Sequence, residues 1–224
     1  MEPEYERLRE AMLQRQIVER GIRSPALLAA LRSVRRERFV PLELAEQAYE
    51  DRPLPIGEQQ TISQPYIVAY MIDALGLRGG ERVLEVGTGS GYAAALVARI
   101  AGCVFTIERR RDLARSARER LAREGIANVE VRQGDGTLGW PEAAPFDAIS
   151  VAAGGPCVPP ALKQQLARGG RLLIPVGVEP DLQRIVRVTN TGPARFVEEP
   201  LLDVHFVPLV GAQGWSVSGS ARGV

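Results

Sequence analysis

The chain has 224 residues, enough for one domain with a sizeable extension, and its 45% apolar and 25% charged content is that of a globular protein with a buried core. A formal net charge of +1 gives no strong field to recruit nucleic acid or an anionic membrane, so neither is expected as a partner. Cys103 and Cys157 are the only cysteines and lack metal-ligand spacing, so neither a disulfide framework nor a metal site is expected. The opening, Met1-Glu2-Pro3-Glu4-Tyr5-Glu6-Arg7, is charged where a secretory signal would be basic and then apolar. No apolar run is long enough to span a bilayer, and a cytoplasmic protein is expected.

Taken in chain order, Leu8, Met12, Gln16 and Glu19 fall on successive turns of a helix that stops at Gly21. Ser24-Pro25 predicts a capped second helix with Leu27, Leu28, Leu31 and Val34 at helical spacing, and Pro41 marks the next break. Asp51 to Pro65 holds several prolines and a glycine and is expected to be a loop. Ile67, Val68, Met71, Ile72 and Leu75 trace one face of a further helix, closed by Gly79-Gly80.

From Glu81 onward the pattern changes. Strands are expected at Val83–Val86, Val104–Ile107, Val129–Arg132, Ala148–Ala152, Arg171–Pro175, Gln183–Val188 and Val204–Leu209. Helices are expected to start near Gly91, Arg111 and Pro159. Alternating strand and helix predicts an α/β fold with a mostly parallel sheet covered on both faces, the last strands adding antiparallel at one edge. The expected organisation is a helical extension over 1–78, an α/β core over 79–210 and a Gly/Ser-rich tail over 211–224, partly disordered.

The chemistry concentrates at Arg82 to Tyr92, RVLEVGTGSGY, which reads as a strand, a glycine loop and a helix start. Gly87, Gly89 and Gly91, with Thr88 and Ser90 between them, allow a tight turn and close approach of a ligand to backbone N–H groups. Such a turn alone would also suit NAD, FAD or another nucleotide. Two details separate these. Tyr92 stands where the dinucleotide pattern wants a third glycine, and Glu85 places a carboxylate where a pyrophosphate has no use for one. An acid there suits a ligand with cationic groups, as in S-adenosylmethionine. Glu108 closes the second strand, where a carboxylate can accept from ribose hydroxyls. Asp135, inside Gly134-Asp135-Gly136, can accept from an adenine amino group. Singly, Glu108 could be a solvated loop charge and Asp135 a turn residue. At one sheet edge after consecutive strands, the set favours a ligand.

Beyond the loop, Asp51-Arg52-Pro53-Leu54-Pro55-Ile56-Gly57 and Gln60-Thr61-Ile62-Ser63-Gln64-Pro65-Tyr66 resemble the signature of the protein-L-isoaspartate (D-aspartate) O-methyltransferase family. So do Glu37-Arg38-Phe39-Val40-Pro41, Gly134-Asp135-Gly136, Ala144-Pro145-Phe146-Asp147, Pro175-Val176-Gly177 and Phe206-Val207-Pro208-Leu209. The resemblance implies a class I, Rossmann-like methyltransferase with an N-terminal helical extension. It implies methyl transfer from S-adenosyl-L-methionine to the carboxylate of L-isoaspartyl residues in damaged proteins and peptides, which a monomer would carry out. It further implies Ser63 as the catalytic position, with Thr61, Ile62, Gln64 and Val207 beside the acceptor. Cofactor contacts would come from Glu85, Gly87, Thr88, Gly89, Ser90, Gly91, Glu108, Asp135 and Gly136, with Gln213 and Trp215 on the same side. Spacing alone reads Ser63 as a helix N-cap ahead of Gln64-Pro65. His205 reads as a solvent-facing or hydrogen-bonded strand histidine.

The sequence departs from the family pattern at several places. Gln59 stands where glycine commonly precedes Gln-Thr-Ile-Ser, and Ala153-Gly154-Gly155-Pro156-Cys157 replaces a more usual Ala-Ala-Pro stretch. Both adjoin the expected acceptor side. They motivate an alternative in which the acceptor is the carboxylate of a dedicated peptide or small molecule.

Overall fold

The computed structural model describes residues 2–179 and 182–216. The first expected helix forms as α1, Glu2–Met12, and continues as a π-helical stretch, Leu13–Val18, that buries Leu13 and Ile17. Ser24 caps α2, Pro25–Ser33, its hydroxyl accepting from Leu27 N–H, with proline in the first turn. Two 3₁₀ turns, Arg36–Phe39 and Leu42–Gln47, lead into the segment expected to be a loop. That segment is instead an antiparallel hairpin, β1 (Leu54–Gly57) and β2 (Gln60–Ile62). Glu58 and Gln59 turn it with φ of 53° and 56°, a left-handed pair that glutamate and glutamine do not advertise. α3, Pro65–Leu75, follows.

The α/β part comprises β3 (Arg82–Val86), α4 (Tyr92–Ala98), β4 (Cys103–Glu108), α5 (Arg111–Arg123), β5 (Val129–Gln133), β6 (Phe146–Val151), α6 (Pro160–Gln164), β7 (Leu166–Glu179), β8 (Leu182–Gly192) and β9 (Arg195–Val204). They form one seven-stranded sheet in the order β5-β4-β3-β6-β7-β8-β9. The pairs from β5 to β7 are parallel; β8 and β9 add antiparallel. The strand order reverses beside β3, since β4 and β5 lie on one side and β6 on the other. The loops after β3 and β6 therefore flank the crevice where such sheets bind ligands.

Alternate strand residues enter two separate cores. Val83, Ala148 and Leu173 join one cluster; Leu84, Ile149 and Leu172 join the other. The first cluster also contains Met12, Leu31, Phe39 and Leu75. The N-terminal helices thus share their apolar core with one face of the sheet. Among the described residues no helix is long and apolar enough to cross a membrane.

The last strand corrects the sequence reading. It spans Arg195–Val204, not Val204–Leu209. Most of it is exposed, and Arg195, Glu198, Glu199 and Asp203 interrupt its apolar residues, so it lacks an apolar strand signature, and Pro200 fits because this strand is an edge. Residues 205–209 instead leave the sheet, and Pro208 bridges to Gly154. Of the expected tail, 211–216 is described, and 217–224 lies outside the described residues.

Candidate active site

A cavity of about 310 Å³ opens at the carboxyl ends of β3 and β4. That is within the size of a small-molecule site. One continuous lining brings together Thr61, Ile62 and Ser63, the glycine loop from Gly87 to Ser90, Glu85, Glu108, Gly136 and Val207. The hairpin leans on the loop, with Ile56 against Gly89.

Glu85 is only 4% exposed. Its Oε2 accepts from Thr106 Oγ1 on the paired position of β4 (2.6 Å), and Thr106 Oγ1 in turn lies 2.6 Å from Thr88 Oγ1. Burial pushes the carboxyl up to about 8; the Thr106 hydroxyl partly offsets this, and the charge of Glu108 adds to it. A buried acid with one hydroxyl donor and a cavity in front of it fits a cationic ligand group. Glu108 Oε2 accepts from Gly89 N–H (2.9 Å) and Oε1 from Arg110 N–H (2.9 Å), which fixes its carboxylate at the loop. Ser90 Oγ accepts from Tyr92 N–H (3.3 Å), and Gly91, at φ 89°, starts α4 where a side-chain cap is absent. Gly136 must be glycine, because a Cβ there would collide with Val86 Cγ1.

Four expected positions differ in detail. Gly91 is not in the cavity lining, and a Cβ there would meet Ala117 and Leu121 of α5. Asp135 is not in the cavity lining. Its Oδ1 accepts from Thr137 N–H (2.9 Å) and Oγ1 (2.6 Å), and its Oδ2 from Ala212 N–H (2.7 Å), so it caps a 3₁₀ turn and ties down the C-terminal segment. Gln64 also faces away from the cavity, and its Nε2 donates to Asp51 O (3.1 Å). Gln64, not Ser63, is the N-cap residue of α3, and it makes no side-chain cap bond. Ser63 is one residue too early for the cap, which leaves its hydroxyl for the cavity.

The C-terminal segment closes one side. Val207 to Val210 line the cavity. Gln213 N–H donates to Thr137 Oγ1 (3.1 Å), its Oε1 accepts from Ala161 N–H (3.0 Å), and Trp215 Nε1 donates to Gly154 O (2.9 Å). Gln213 and Trp215 therefore hold the strap rather than line the cavity. Gly154 admits no side chain, since a Cβ would meet Gln183. Gln59 lines the cavity, and His205 is exposed outside it.

One contributor carried no distinct sequence signal. Arg36 is fully buried, and its Nη2 donates to Ser63 O (2.7 Å). It stands among Arg32, Arg35 and Arg38, and only its position three residues before the buried Phe39 sets it apart.

The chain matches the family model "Protein-L-isoaspartate(D-aspartate) O-methyltransferase (PCMT)" over residues 6–214. The chain belongs to this family. Among PCMT relatives, a protein-L-isoaspartate O-methyltransferase 1 of Rhodopseudomonas palustris is 60% identical, the match covering 93% of this chain and 85% of the relative. A protein-L-isoaspartate O-methyltransferase 2 of Pelobacter propionicus is 58% identical over 92% of each. A solved protein-L-isoaspartate O-methyltransferase superimposes with a TM-score of 0.82 at 32% identity, covering 92% of this chain and 67% of that one. A Plasmodium falciparum PCMT, solved in complex with S-adenosyl-L-homocysteine, superimposes with a TM-score of 0.78 at 27% identity, covering 92% and 98%. The fold is thus that of a class I, Rossmann-like methyltransferase, and the enzyme depends on S-adenosylmethionine.

Proposed function

We propose that this PCMT chain transfers the methyl group of S-adenosyl-L-methionine to the free α-carboxylate of L-isoaspartyl residues, whose side-chain carboxyl is taken up in the peptide link, opening their repair. The observation that carries the reading is the shared cavity: the Thr61-Ile62-Ser63 element and the glycine loop with Glu85 and Glu108 line one space. When bound, the cofactor supplies an electrophilic methyl group on a sulfonium. Gly87 to Ser90 would bring main-chain groups close to it, with Gly91 opening α4 behind them; Glu85 and Glu108 would receive its cationic and ribose groups, and Gly136 would leave room for its base. Asp135 acts on the base's surroundings through the Thr137 turn and the strap.

The acceptor needs no base. A carboxyl with an ordinary pKa near 4 is ionised at neutral pH, which suits a cavity whose lining, among the described residues, holds no histidine, cysteine or lysine. It needs orientation and loss of its water shell. Ser63 Oγ orients it, while Ile62, Val207 and the apolar face of α3 exclude water. The neighbouring backbone amide nitrogen then attacks the methyl ester and expels methanol, giving a succinimide that water reopens partly to normal aspartate.

The division into a substrate extension over 1–78, a cofactor core over 79–210 and a tail from 211 belongs to this reading. So does a cytoplasmic monomer without nucleic-acid or membrane partners; the net charge of +1 supports the last two by offering no strong field to either. A dedicated peptide or small-molecule carboxylate is the second reading, favoured by Gln59 inside the cavity. Chromatography of an isoaspartyl peptide incubated with enzyme and cofactor separates the two. Gradual conversion to succinimide and aspartyl forms supports repair; an unchanged peptide favours the dedicated acceptor.

A further inference from the structure

Beneath the acceptor element lies a charge that the cofactor residues do not account for. Arg36 is 0% exposed, yet its hydrogen-bond partners are two main-chain carbonyls: Nε donates to Ala48 O (2.6 Å) and Nη2 to Ser63 O (2.7 Å). Nη1 has no hydrogen-bond partner among the described residues, and the guanidinium lies 4.9 Å from the ring centroid of Tyr92, a cavity residue. The neighbouring acid, Glu37, is engaged by Tyr49 Oη.

A buried guanidinium is costly to desolvate and is usually matched by a carboxylate. Here the match is incomplete. Its field is carried by two carbonyl dipoles and an aromatic face, so net positive charge remains close under the cavity wall. Its geometry is equally specific. A planar donor fork spans Ala48 and Ser63, two segments 15 positions apart in the sequence, and so fixes the Ser63 main chain.

We propose that Arg36 is a positioning and specificity residue for the acceptor. It sets Ser63 through its carbonyl and makes the acceptor end of the cavity selective for an anionic group. It acts on the acceptor and not on the cofactor, because its bonds reach Ser63 and none reaches the loop from Gly87 to Gly91. This inference rests on the isoaspartyl reading.

Two measurements test it. In Arg36→Lys and Arg36→Met, the dissociation constant for S-adenosylhomocysteine is expected to stay within about twofold, while KM for an isoaspartyl peptide rises about tenfold in the lysine variant and further in the methionine variant. A folded lysine variant with unchanged KM, or one in which both constants rise together, overturns the proposal. The second measurement uses the unaltered protein saturated with S-adenosylhomocysteine, so no sulfonium is present. There an isoaspartyl peptide is expected to bind about tenfold or more tightly than its isoasparaginyl amide. Equal binding overturns the proposal even if both variants fail to fold. If the unaltered enzyme methylates no isoaspartyl peptide, the functional reading falls; normal turnover with unaltered acceptor binding removes Arg36 alone.

Discussion

Glu85 sets the sharpest residue-scale behaviour. Its ordinary value is 4.5, and burial raises it to about 8. Unfolding therefore releases a proton from this group between those values, so its ionisation destabilises the ligand-free protein progressively as pH rises from about 4.5 to 8. A bound cation reverses the preference. Cofactor affinity is expected to increase between pH 6 and 8, and calorimetric titration of Glu85→Gln is expected to give weaker and nearly pH-independent binding. A flat profile in the unaltered protein contradicts this role. Ser63→Ala is expected to keep cofactor affinity and lose on the order of 10- to 100-fold in kcat/KM for an isoaspartyl peptide, since orientation is what the hydroxyl contributes. Unchanged turnover removes Ser63 from the reaction. At this scale Glu85, Glu108 and the loop glycines were legible, because strand ends and glycine spacing fix their place. Asp135 is legible as the turn residue that its bonds to Thr137 make it, but not in its hold on Ala212. Gln64 and Arg36 are not legible, because each is decided by a long-range partner, Asp51 and Ser63 respectively, that no local pattern encodes.

The elements divide in the same way. α2, α4 and α5 begin within a residue of expectation because caps, proline and apolar spacing act locally. The β1–β2 hairpin was invisible because Glu58-Gln59 lacks the Asn-Gly chemistry of a left-handed two-residue turn. β9 lies N-terminal to the expected strand because an exposed edge strand carries no alternation. The hairpin offers a direct check. Gln59 sits at φ 56° with its residue in the cavity wall, so Gln59→Gly relieves left-handed strain and is expected to raise Tm by about 2–4 °C in a thermal melt. A lowered Tm means that the glutamine side chain stabilises the turn by contacts that outweigh its backbone strain.

For the whole molecule, the consequence of the shared core is cooperativity. Leu31 in α2 and Ala148 in β6 belong to one apolar cluster, so the N-terminal helices do not fold as an independent unit. Leu31→Ala is expected to cost about 2–5 kcal/mol and to lower a single calorimetric transition. A second, unshifted transition would show that the helices and the sheet melt separately. The two-sided sheet itself was legible from the continuous apolar strands, and the crevice followed from where the strand order reverses. What the chain receives into that crevice depends on the hairpin, the strap and Arg36, which only the fold brings together.

The proposed function requires this assembly to distinguish an isoaspartyl carboxylate from an ordinary aspartyl one. The direct measurement gives the enzyme methyl-labelled S-adenosylmethionine with two peptides that differ only in that linkage. Label is expected in the isoaspartyl peptide, as a base-labile ester, with background in its aspartyl twin. Equal labelling of both peptides, or of neither, contradicts the account.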